Sequence, residues 1–175
     1  MKSALSYKNE DDKCYGATGM VVGMVVLDGE DMLSAVSLDA VPGEIVEFTD
    51  GFYFAGNPGL SAKVAWAQIV HNYNLSLAML ISNVMCRSIV LDNTPVAPAV
   101  KEHLRRQAVD EGHESCSLED DEINRLFDKN YSYLLRVFNH QGVQSVVNDF
   151  AKVLKRQRRL TRFEVMEQLR ALSML

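Results

Sequence analysis

Apolar positions along the chain follow three patterns, and each predicts a different kind of element. In the first third they come in short runs divided by turn dipeptides. The run Met20-Val21-Val22-Gly23-Met24-Val25-Val26-Leu27 is rich in β-branched residues and too continuous for a strand with one face in water. Asp28-Gly29 follows and supplies the positive φ of a tight hairpin turn. Residues 32–38, the alternating 44–49 and the aromatic 52–55 read as three more strands, divided by Pro42-Gly43 and Asp50-Gly51. This predicts an antiparallel meander of about four strands over 16–55. Gly23 inside the first strand marks a bulge or a place where another backbone comes close.

The second pattern covers residues 64–86, which contain no Asp, Glu, Lys or Arg. Asn57-Pro58 is a suitable helix start, so a single long helix is predicted over 57–91. At 100° per residue, Ser61, Gln68, Asn72, Ser76, Asn83 and Arg87 share one sector, and most of the remaining circumference is apolar. Such a helix is central to a core or lies between two surfaces. Its amide and hydroxyl stripe lacks the Lys and Glu of a water-facing side, which points to protein as its cover. A homodimer seam through Gln68, Asn72, Ser76 and Asn83 would bury the stripe self-complementarily. The window is long enough to cross a bilayer, but three Asn, one Gln and one His argue against a membrane span.

The third pattern, over 98–172, is amphipathic with helical period. Val100, Leu104 and Ala108 form one inward set. Ile123, Leu126, Phe127, Tyr131, Leu134, Leu135 and Phe138 form a second, and Val143, Val146, Val147, Phe150, Val153 and Leu154 a third. Thr161 with Glu164 makes a capping box for a last helix. The whole is predicted to be α+β: a meander on a long central helix, with a helical layer over 98–172. It forms one domain over 16–175, preceded by a disordered tail over 1–15.

Charge and composition narrow the functional classes. The 175 residues have a net charge of −5, unevenly spread. Residues 1–60 hold 3 basic and 10 acidic side chains, whereas 131–175 hold 8 and 3. Lys155, Arg156, Arg158, Arg159 and Arg162 form a basic segment. It could contact a polyanion through a helix-turn-helix near 159–161, but pairing with the acidic N-terminal part is the better expectation. Nucleic-acid binding therefore ranks third among the functional readings.

Three cysteines without a C-x-x-C pair fit a reducing, cytoplasmic setting and give no zinc ribbon. Cys86 reads as an inert core thiol. Cys116, with His113 and His103 nearby, makes a poor metal set. Neither a Walker A order nor a dinucleotide fingerprint occurs, and no cofactor is expected. The first functional expectation is thus a non-catalytic, self-associating interaction protein. The second is a small-molecule binder or enzyme, with His71, Tyr73 and Asp92 as polar groups of a pocket between meander and long helix.

Overall fold

The computed structural model describes residues 6–53 and 62–175 of the chain. The Asn57-Pro58 helix start, Ser61 of the polar stripe and the end of the fourth expected strand lie outside these residues. The architecture is α+β in the coarse sense: a mostly helical body with one small antiparallel sheet.

The largest correction concerns the N-terminal run. Residues Glu10–Val26 form a helix, α1, in place of a disordered tail and a first strand. Asn9 caps it by accepting the Asp12 N–H at 2.8 Å, and Glu10, Asp11 and Asp12 fill the first turn, where the helix dipole favours them. Asp28-Gly29 ends this helix. Asp28 takes φ 56°, its N–H bonds to Val25 O, and the Gly29 N–H bonds to Met24 O, which is a Schellman closure. Every residue from Gly16 to Met24 is buried, so this part of α1 is nearly apolar all round and carries neither helical nor strand periodicity.

Three strands follow the correction. β1 (Leu33–Ser37) and β2 (Val46–Phe48) pair antiparallel with Val36 opposite Val46. The third strand, β3 (Arg159–Thr161), pairs with the other edge of β1, placing Leu160 opposite Val36. Residues Asp50–Tyr53 form a short helix, α2, where a fourth strand was expected.

The long helix α3 spans Ala62–Met85 and continues as a π-helical segment over Cys86–Leu91. It is the centre of the molecule, packed against α1 on one side and against α4 (Pro98–Cys116) and α5 (Asp120–Asn139) on others. Taken together, Ala65–Leu91 is long and apolar enough to cross a membrane by length and composition, and 61% of that window is buried inside the fold. The helical layer is completed by α6 (Gln141–Gln157) and α7 (Arg162–Gln168). The Thr161 capping box forms as the spacing predicts, with Thr161 Oγ1 accepting from the Glu164 N–H.

The uncharged stripe of α3 is covered to a large extent by the chain itself. Asn83 is 0% exposed, and its Nδ2 donates to Tyr7 Oη at 2.9 Å. Ser82, also fully buried, lies against α1 where Gly19 and Gly23 fall four residues apart. A Cβ on Gly19 would stand 2.4 Å from Ser82 O, and one on Gly23 2.1 Å from Ser82 Oγ. Gly23 is therefore a point of close backbone approach between two helices rather than a strand bulge.

Candidate functional site

Among the described residues, two of the concavities lie beside α3. The larger, about 400 Å³, lies where the π-helical segment meets α1 and α4, and Lys8, Asp12, Arg87, Asp92 and His103 line it above an apolar floor of Val84 and Leu104. Winding of the π type is frequent at functional positions. Here, however, the charged groups are spent on the fold. Arg87 Nε donates to Asp12 Oδ1 at 2.7 Å and Nη2 to Oδ2 at 2.7 Å. Nη1 donates to Asn83 Oδ1 and Nη2 also to Ser6 O, and the guanidinium stacks 4.7 Å from the centre of the Tyr7 ring. Burial opposes ionisation of Asp12, but the Arg87 guanidinium and the Lys8 N–H outweigh it and hold the carboxyl below its usual range. At the rim, Lys8 Nζ and Asp92 pair at 3.8 Å. The arrangement is a clasp that ties the segment before α1 to the central helix.

The smaller pocket, about 210 Å³, has a different character. Three elements build it: Phe52 from α2, then Ile69, Asn72, Tyr73 and Ser76 from one face of α3, then Glu111, Ser115 and Cys116 from the last turns of α4. Spacings of three, four and seven residues put the α3 group on one side of that helix. Tyr73 Oη donates to Ala108 O at 2.7 Å. It has room because Gly112 stands beside it, where a Cβ would lie 3.1 Å from the hydroxyl and 2.6 Å from Ile123 Cδ1. Asn72 is only 8% exposed; its Nδ2 donates to Phe52 O at 3.1 Å, and its Oδ1 has no hydrogen-bond partner among the described residues. The Phe52 carbonyl fixes which way round the amide sits, because a flipped amide would set two oxygens face to face. Burial raises the Glu111 carboxyl above its ordinary range; the N-terminal charge opposes the shift, and the neighbouring Glu114 charge adds a smaller rise.

The residues singled out from sequence are thus dispersed. Tyr73 lines the smaller pocket and Asp92 the larger cleft, while His71 is exposed and lines neither. Of the proposed seam, Asn72 and Ser76 line the pocket, Asn83 belongs to the clasp, and Gln68 is half-buried near the start of α3. The basic segment meets the acidic N-terminal part of the same chain. Arg158 pairs with Glu10 and Asp39, Lys155 with Asp11, Arg159 with Glu47 and Arg162 with Asp31, while Arg156 is exposed. The turn once expected of a helix-turn-helix is β3, locked into the sheet.

Cysteine chemistry is muted. Burial pushes the Cys14 thiol up to about 11 and raises Cys86 and Cys116 as well. Cys116 also sits at the C-terminal end of α4 rather than in a loop before α5, and the negative pole of a helix disfavours thiolate. His113 pairs with Asp120, not with Cys116. Sequence reasoning missed Glu111 and Ser115; their four-residue spacing within α4 was the available signal.

No family model matches the chain. Comparison with curated proteins and with solved structures likewise found no match.

Proposed function

We propose that this chain is a small-molecule-binding protein whose ligand enters the pocket formed by Asn72, Tyr73 and Glu111. The observation that carries the reading is the unpaired Asn72 Oδ1. A buried acceptor without a partner costs about 1–3 kcal/mol; Oδ1 is shielded from solvent, so a ligand that donates to it and recovers that loss also turns or shifts the amide toward the pocket. At about 210 Å³ the pocket has room for roughly seven waters, so its occupant is smaller than a drug-sized molecule. The test is a fragment screen of mixed charge classes on ¹⁵N-labelled protein. Saturable shifts confined to the amides of 69–76 and 111–116, abolished by Ser115→Phe, are the expected result. Saturable binding that clusters elsewhere, or none at this pocket, would refute the reading.

A second reading, self-association, is favoured by the leading turns of α3. Cys116, the last residue of α4, reaches Ile69 O, so the turns before Ile69 extend past the end of α4. Trp66 on those turns is 45% exposed. On this reading light scattering at micromolar concentrations gives a dimer mass, and Trp66→Glu returns a monomer. A monomer mass for the unaltered chain would remove it.

A further inference from the structure

We infer that the pocket between α2, α3 and the end of α4 is selective for a small organic ammonium, a primary amine carried on a compact hydrocarbon body. The inference rests on the reading that this pocket binds a ligand and adds the ligand's chemical class.

It follows from counting donors and acceptors on the pocket wall. Asn72 Nδ2 is committed to Phe52 O, the Tyr73 hydroxyl hydrogen to Ala108 O, and the Cys116 thiol points to Ile69 O. What remains is acceptor capacity. No described residue forms an ion pair or hydrogen bond with the Glu111 carboxylate, the Tyr73 oxygen retains a lone pair, and Asn72 Oδ1, itself shielded from solvent, is unpaired. The Ser76 and Ser115 hydroxyls can serve in either sense. A carboxylate or phosphate would therefore meet oxygen lone pairs and a like charge, which is unfavourable at a half-buried position. An ammonium offers three donors and a counter-charge in one group, and hydrogen bonds to charged partners are the stronger kind. Phe52 and Ile69 supply the apolar wall for the hydrocarbon part.

The experiment compares three probes that share one ring and differ in head group: benzylamine, benzyl alcohol and benzoate. Each is titrated into the full chain and followed by the Asn72 side-chain amide and the amides of 69–76 and 111–116. Benzylamine is expected to bind at least about tenfold more tightly than benzyl alcohol, with benzoate showing no saturable shift. Glu111→Gln, on a half-buried position, is expected to keep the spectrum of the folded chain and to weaken benzylamine by about tenfold while leaving benzyl alcohol unchanged. Asn72→Leu should weaken both amine and alcohol.

Equal affinity for benzyl alcohol or benzoate, or indifference of benzylamine to Glu111→Gln, overturns the ammonium assignment. Fragments of other classes seated in the pocket would then still support the binding reading. An empty pocket in the mixed screen removes both.

Discussion

Replacing Arg87 by methionine is expected to destabilise the fold by about 3–5 kcal/mol, the cost of leaving a buried carboxylate without its partner. The side chains of Asp12 and Arg87 are 6% and 15% exposed, so water does little to compensate. For a chain of this size such a loss lowers the thermal midpoint by about 6–20 °C, which calorimetry would resolve. The double replacement Asp12→Asn with Arg87→Met removes the stranded charge and should recover much of the loss. A double variant no better than the single one would mean that the packing of Arg87 on Tyr7 and its bond to Ser6 O outweigh the charge.

The pH dependence separates these terms. In the native chain the Asp12 pKa is lowered, so its contribution is present above the unfolded value and disappears as pH falls through the folded value. In Arg87→Met the sign reverses, because an unpaired buried carboxyl titrates high. The stability gap between variant and native chain should therefore narrow as pH is taken from neutrality toward about 4. A gap that stays constant would contradict the clasp.

The second large effect lies where α1 crosses α3. Gly23→Ala should cost about 1–3 kcal/mol despite the better helix propensity of alanine, because its Cβ would stand 2.1 Å from Ser82 Oγ and 2.7 Å from Ser82 Cβ. Ser82→Gly removes both obstructing atoms, leaving Ala78 O at 3.3 Å as the next neighbour. The pair Gly23→Ala with Ser82→Gly moves the glycine from one helix to the other. It is expected to lie within about 1 kcal/mol of the native chain, with a clear coupling energy in the double-mutant cycle. Gly19→Ala is the control. Its Cβ would meet the Ser82 carbonyl oxygen at 2.4 Å, a backbone atom that Ser82→Gly does not remove, so no rescue is expected there. Chemical denaturation of the five variants, the Gly19→Ala with Ser82→Gly pair included, decides the matter.

The parts of the fold legible from sequence were those with one wet face. α5 and α6 show clean helical periodicity because one side packs and the other is solvated, and the Thr161–Glu164 capping box marked the start of α7. The 16–24 part of α1 was illegible by the same test, since a helical stretch buried on every side has no periodicity to read. Its signals were of another kind: Asn9 ahead of three acidic residues, and glycines at 16, 19 and 23 on one face. β3 was missed because three residues carry too little pattern, and its partner β1 lies most of the chain away.

The pocket was half visible. Tyr73 could be picked as a polar aromatic on an otherwise apolar helix, and Asn72 was seen but assigned to a subunit seam. Nothing in the spacing of 72–73 points to Glu111, because only the antiparallel packing of α4 on α3 brings them together.

The position of β3 also sets an order of events during synthesis. β1 has β2 on one side as soon as residues 46–48 exist, but its other edge stays open until residues 159–161 have been made. An open edge is a template for pairing with another chain. Arg158, Arg159 and Arg162, which flank or belong to the late strand, carry charges opposite to those of Glu10, Asp39, Glu47 and Asp31, which have by then long been waiting. Opposite charge draws the last-made strand to the edge it must close, and until it arrives the nascent sheet keeps an edge open to mispairing.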